Sequence, residues 1–105
     1  MIIFVENFFM GLLNKTEYIE QVEQIICDFF GTTIEEVYGR NKKSDVVLAR
    51  HFLIYILNTY YSVSYSKLIK RFSRSMRCIT MTIKNMRHYI VYDKKYKHYY
   101  NMLIN

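Results

Sequence analysis

In successive stretches between Thr16 and Ile90, apolar side chains recur at intervals of three and four, the spacing of one helical face. From Thr16 to Phe30 the stripe is Tyr18, Ile19, Val22, Ile25, Ile26, Phe29 and Phe30, with Glu17, Glu20, Glu23 and Asp28 on the opposite face. Gly31 follows as a C-cap, where a residue without a Cβ can turn left-handed. Thr33 and Glu36 stand at capping-box spacing, so a short helix through Tyr38 is predicted, closed by Gly39. Arg40-Asn41-Lys42-Lys43-Ser44 reads as a basic turn.

A longer helix is predicted from about Asp45 to Tyr60. Val46, Val47, Leu48, Phe52, Leu53, Ile56 and Leu57 give it a wide apolar surface, which marks it as the central core helix, with Arg50 and His51 near its edge. Ser62 and Ser64 are cap candidates for a short helix from Tyr65 to Phe72, in which Leu68, Ile69 and Phe72 face inward while Lys67, Lys70 and Arg71 face water. Ser73 to Met76 turns into another helix with Ile79, Ile83, Met86 and Ile90 inside and Arg77, Thr80, Lys84 and Arg87 outside. Two helices joined by a tight turn, the second basic on its outer face, form the pattern of a helix-turn-helix, whose second helix enters the major groove.

Composition narrows the fold. The 105 residues suffice for one core and not for two ordinary domains. There is no Pro, and only Gly11, Gly31 and Gly39 interrupt a chain that is 51% hydrophobic, which favours helices joined by short turns over a strand-rich fold. The expectation is an all-α, single compact helical domain at residues 15–91, preceded by an apolar helix or extension at 1–14 and followed by a basic, tyrosine-rich helix or tail at 92–105.

Charge changes the picture further. Residues 1–38 carry seven acidic side chains against Lys15, a balance of −6, whereas residues 39–105 carry fourteen Lys or Arg against Asp45 and Asp93, a balance of +12. A like-charged surface that dense repels itself, and a polyanion relieves the repulsion while releasing its own counterions. Nucleic acid is therefore the first partner implied. The tyrosines at 89, 92, 96, 99 and 100 interleave with Lys94, Lys95 and Lys97; such a run can stack on unpaired bases, or it can cover a core with amphipathic side chains.

Other chemistry finds little footing. Cys27 and Cys78 stand far apart with no Cys or His at metal-ligand spacing, so two buried thiols in a reduced intracellular protein are expected, with no metal and no cofactor. His51, His88 and His98 show no nucleophile or acidic partner at a recognisable spacing, which argues against an enzyme. Met1 to Leu13 is apolar but lacks a basic leader and a small-residue cleavage site, contains Glu6, and is too short to span a bilayer. Its Phe4, Val5, Phe8, Phe9 and Leu12 suit a helix that packs on its own domain, on a second copy or on a protein partner, and no membrane role is expected.

The run Asp28-Phe29-Phe30-Gly31-Thr32-Thr33-Ile34-Glu35-Glu36-Val37, the helix Val46-Val47-Leu48-Ala49-Arg50-His51-Phe52-Leu53-Ile54-Tyr55-Ile56-Leu57, and Ser64-Tyr65-Ser66-Lys67-Leu68-Ile69 leading to Phe72 resemble the C-terminal DNA-binding domain of the bacterial chromosomal replication initiator DnaA. The likeness covers roughly Ile19 to Ile90 and implies a TrpR/DnaA-like helical fold that binds double-stranded DNA. It departs at the start of the reading helix. Where the family has an Arg-Asp-His-Thr/Ser-Thr-Val run, this chain offers Arg74-Ser75-Met76-Arg77-Cys78-Ile79 with one residue deleted in the turn, so the base-edge hydrogen bonds cannot be the same.

By the same resemblance, Lys42 takes the place of an Arg that inserts into the minor groove and Arg50 would hold a phosphate. Lys is the weaker minor-groove reader because its ammonium is more strongly hydrated. The candidate contacts are Arg40, Lys42, Lys43, Arg50, Lys67, Lys70, Arg71, Arg74, Ser75, Arg77, Thr80 and Lys84. No G-x-x-x-x-G-K-[ST] phosphate loop is present, so a free-standing domain is expected rather than a full initiator. The implied role is that of a replication-related or regulatory accessory protein in the cytoplasm of a bacterial or phage-infected cell. The alternative is an interaction or structural protein, for example of a phage or mobile element, that kept the fold and lost sequence reading.

Overall fold

Cap chemistry sets the helix boundaries in the computed structural model, which describes residues 15–104. The helix expected within residues 1–14, and the partner contact suggested for it, lie outside the described residues. The elements are α1 (Lys15–Phe30), α2 (Ile34–Tyr38), α3 (Ser44–Tyr61), α4 (Tyr65–Phe72), α5 (Met76–Tyr92) and α6 (Lys94–Ile104), with no strand among the described residues. Gly31 ends α1 at φ +70°, a conformation that only glycine adopts without strain. Thr33 opens α2 with the expected capping box: its hydroxyl accepts from the Glu36 N–H, and the Glu36 carboxylate accepts from the Thr33 N–H. Ser64 and Ser75 open α4 and α5 with the hydroxyl half of that pattern alone, accepting from the Lys67 N–H and the Cys78 N–H. Ser62 departs from expectation. It closes α3 in the left-handed region, at φ 56°, and Ser73 closes α4 at φ 51°.

α3 is the centre of the molecule. Leu48, Ala49, Phe52, Leu53, Ile54, Tyr55, Ile56 and Leu57 are all buried, so burial runs round most of its circumference and neighbours are required on several sides. α1 supplies Ile19, Val22 and Ile26, α4 supplies Leu68 and Phe72, and α5 supplies Ile79, Ile83, Met86 and Ile90. α6 closes the remaining side with Leu103 and the rings of Tyr96, Tyr99 and Tyr100; Tyr99 meets Phe29, Phe30 and Phe52 edge-on, and Tyr96 stacks over Phe52. The radius of gyration, 13.0 Å, is that of a single domain of about 100 residues.

Four placements differ from the sequence-based expectation. Glu23, assigned to the wet face of α1, is 2% exposed, because Arg71 reaches back to it from α4 and pairs at 2.8 Å. A buried carboxylate requires such a partner. Arg71 is accordingly half-buried rather than facing water, and Arg50 is 8% exposed rather than at the helix edge. Cys78 is exposed in the first turn of α5, one position before the buried Ile79, whereas Cys27 is buried, and burial with Glu23, Asp28 and Glu36 nearby pushes its thiol up to about 11.

His51 is half-buried, and burial followed by the charge of Arg50 holds its imidazole below its ordinary value. Burial raises Glu23 despite Arg71.

Two outcomes follow for stability. Ser73→Gly relieves a left-handed non-glycine residue and should raise unfolding free energy by up to about 1 kcal/mol in urea titrations, since the strain removed exceeds the added chain entropy. A histidine held low binds fewer protons folded than unfolded, so its contribution is present above about pH 6.5 and is lost as pH falls through the folded value. Glu23 acts with the opposite sign: its contribution is present at low pH and is lost as pH rises through its raised value. Measured against wild type between about pH 7 and pH 5, His51→Gln should therefore lose less stability on acidification.

Candidate nucleic-acid interface

The basic turn between α2 and α3 is held from beneath by one side chain. Arg50, on the second turn of α3, donates from Nε to the Val37 carbonyl at 2.7 Å and from one terminal nitrogen to the carbonyls of Glu36, Gly39 and Asn41 at 3.3, 3.2 and 3.0 Å. The end of α2 leaves carbonyls with no helical donor, and a guanidinium with five N–H groups and no acceptor is suited to them. Burial, followed by the nearby charge of Arg74, lowers the Arg50 guanidinium from its ordinary value, though a guanidinium remains protonated. Gly39 leaves room for this close turn: a Cβ there would stand 3.2 Å from the Glu35 carbonyl. Asn41 completes the loop, accepting from the Lys43 N–H at 2.9 Å and donating to Glu36 at 3.3 Å.

Arg74, in the turn between α4 and α5, joins that loop to the helix-turn-helix. One terminal nitrogen donates to the Phe72 carbonyl at 2.7 Å, satisfying the end of α4, and the other donates to the Gly39 carbonyl at 2.9 Å. Gly39 O thus accepts from both Arg50 and Arg74. The Gly39 end of the 39–43 loop is therefore fastened to the turn that precedes α5, and Arg40, Lys42 and Lys43 are exposed on that loop. Arg71 takes a third structural position: its Nε donates to Glu23 at 2.8 Å and to the Tyr38 hydroxyl at 2.9 Å, and its guanidinium lies 5.6 Å from the Tyr38 ring centroid.

The twelve expected residues thus divide in two. Arg50, Arg71 and Arg74 bind carbonyls, a carboxylate and a phenol of the protein itself, Arg50 while buried and Arg71 and Arg74 while half-buried. Their forks were needed to satisfy buried oxygens. Arg40, Lys42, Lys43, Lys67, Lys70, Ser75, Arg77, Thr80 and Lys84 are exposed. Arg77, Thr80 and Lys84 stand three and four apart along one side of α5. Ser75 also has a structural duty, its hydroxyl accepting from the Cys78 N–H at 3.1 Å.

Two residues on this surface escaped the sequence-based selection. Met76 is 54% and Met81 44% exposed on α5. Met81 could have been found, because it is an apolar residue out of phase with the Ile79, Ile83, Met86 and Ile90 stripe. Thr82 is buried on the inner side of α5 and donates to the Cys78 carbonyl one turn back in the same helix at 2.8 Å.

Residues 19–87 match the family model described as bacterial dnaA protein helix-turn-helix. A chromosomal replication initiator protein DnaA from Pseudothermotoga lettingae is 32% identical over 73 residues, covering 70% of this chain and 16% of that protein. The chain thus matches a small part of that relative's length. Among the described residues no helix is long and apolar enough to cross a membrane, and no group of His, Cys, Asp and Glu is placed to hold a metal.

Replacement of Arg50 by Lys tests the loop anchor. The ammonium keeps the charge but cannot reach four carbonyls from one position, so Arg50→Lys should destabilise the fold by about 2 kcal/mol. Amide exchange at Gly39 to Asn41 should accelerate more than exchange in α5.

Proposed function

The chain belongs to the bacterial DnaA protein helix-turn-helix family, and from that premise we propose that it binds double-stranded DNA with the N-terminal half of α5 in the major groove. The observation that carries this reading is the shared Gly39 carbonyl. It ties the Gly39 end of the cationic 39–43 loop to the turn that presents α5, which supports reading the exposed charges of loop and helix as one binding surface. Arg77, Thr80 and Lys84 face the groove, Arg40, Lys42 and Lys43 lie along the adjacent backbone or minor groove, and Lys67 and Lys70 of α4 take phosphates. Arg50, Arg71 and Arg74 act from inside as the frame.

Base preference in this reading belongs to the chain itself. A guanidinium at Arg77 can read guanine from two donors, and Met76 and Met81 offer apolar contact for a thymine methyl group. The protein acts by binding and not by catalysis, as a replication-related or regulatory factor in the cytoplasm of a bacterial or phage-infected cell.

Affinity for a duplex should fall steeply with salt. About six phosphate contacts give a slope of log K against log salt near −5. Arg77→Ala combined with Lys84→Ala should weaken binding at least about tenfold, and because both side chains are exposed the melting temperature should hold. Salt-independent or absent binding in fluorescence anisotropy would reject the proposal. Selection from randomised duplexes should enrich one motif; recovery of no motif would instead favour an interaction protein that kept the fold and lost site reading.

A further inference from the structure

The exposed side of α5 that carries Arg77, Met81 and Lys84 continues at helical spacing to His88 and Tyr92, where its chemistry changes. His88 and Tyr92 stand one helical turn apart and both are exposed, with ring centroids 4.7 Å apart and planes inclined at 41°. Tyr92 is 75% exposed, the largest value among the exposed large hydrophobic side chains of the described residues. At 1.5 Å per residue this pair lies about 20 Å along the helix axis from Met76 and beyond Lys84, past the turns that a reading helix presents to bases.

The chain then bends at Asp93, and α6 begins with Lys94 and Lys95, with Lys97 following; all three lysines are exposed. The carboxylate at the bend, Asp93, accepts from the Lys95 and Tyr96 N–H groups at 2.9 and 3.3 Å and so serves as the cap of α6.

The tyrosine run has two chemical uses, and the fold divides it between them. Tyr96 is taken up between Phe52 and Tyr89, Tyr99 sits among Phe29, Phe30 and Phe52, and Tyr100 meets Tyr55. Tyr92 contributes nothing to that core. Its ring faces water beside an imidazole and within a few residues of three ammonium groups. An apolar protein partner would have to desolvate those lysines, whereas a phosphate chain is complementary to them. A duplex keeps its bases stacked inside and offers an aromatic face nothing to stack on; an unpaired strand offers both a base and a phosphate.

We propose that the corner between α5 and α6 binds single-stranded DNA, one base stacking on Tyr92 and His88 while Lys94, Lys95 and Lys97 neutralise the adjoining phosphates. His88 and Tyr92 continue the exposed side of α5 one and two turns beyond Lys84, so Tyr92 at the far end and Arg77 at the near end can be tested separately by mutation.

The test is anisotropy with a fluorescent oligothymidylate of about ten nucleotides at low salt, with an unrelated duplex measured in parallel. The expected result is that Tyr92→Ala weakens oligothymidylate binding about tenfold, the loss of one stacked base, while Tyr92→Phe retains it. Tyr92→Ala should leave duplex affinity unaltered, and the Arg77→Ala, Lys84→Ala variant should show the reverse pattern. Circular dichroism establishes that each variant is folded. The proposal is overturned if the wild-type chain does not bind oligothymidylate, if Tyr92→Ala binds it as wild type does, or if the Arg77, Lys84 variant loses both ligands together, which would place the strand on the duplex face. Absence of duplex binding alone would count against the duplex reading and leave this one standing.

Discussion

A protonated guanidinium has five N–H donors and no acceptor, so it can be buried only where oxygens converge on it. Arg50 meets that condition beneath the loop that follows α2, where the carbonyls of Glu36, Val37, Gly39 and Asn41 turn inward to one side chain. The arrangement satisfies the end of a five-residue helix that could not hold its own shape, and among the described residues it does so without an acidic partner for Arg50. The loop is therefore given a defined course while its positive charge stays uncompensated.

Half of the arginines are structural: Arg40, Arg77 and Arg87 stay exposed with the lysines, and the other three do not. Arg50, Arg71 and Arg74 are turned inward, where a planar fork can satisfy two or more oxygens at fixed angles. Lys42, Lys43, Lys67, Lys70 and Lys84 are turned outward, where a flexible, strongly hydrated ammonium can follow a phosphate without a prescribed geometry. The convergence of Arg50 and Arg74 on the Gly39 carbonyl brings two like charges together, and the carbonyl dipoles around them make that tolerable. Stiffness inside and adaptability outside are the combination that a docking face for a regular polyanion requires.

α5 is longer than a reading helix needs to be. Its first half presents Arg77, Thr80 and Lys84, and its second half is gripped from within by Ile90 and by Tyr89 against Tyr96 of α6. α6 in turn covers the side of the core formed by Phe29, Phe30, Phe52 and Tyr55 and leaves the outer side of α5 exposed. The aromatic tail is thus mostly a lid for the core, and what remains outside, Tyr92 with His88, is confined to the corner where the two helices meet.

The order and type of the helices from Thr16 to Tyr92 were legible in the chain alone. Helix signals are local: three-and-four spacing of Ile19, Val22 and Ile26, the Thr33 to Glu36 box, Gly31, and the all-round apolarity of residues 46 to 57 each depend on neighbours within a few positions. The inner stripe of α5 was equally plain, and its complement named Arg77, Thr80 and Lys84. The fates of individual charges were decided only by tertiary structure. Whether Arg71 faces water depends on Glu23, 48 residues earlier, and whether Arg50 faces a phosphate or a carbonyl depends on a loop 9 to 14 residues upstream folding back onto it. Spacing records which face of a helix a side chain occupies, but the cost of desolvating a charge is met by oxygens brought in from elsewhere, and no local pattern of residues carries that information.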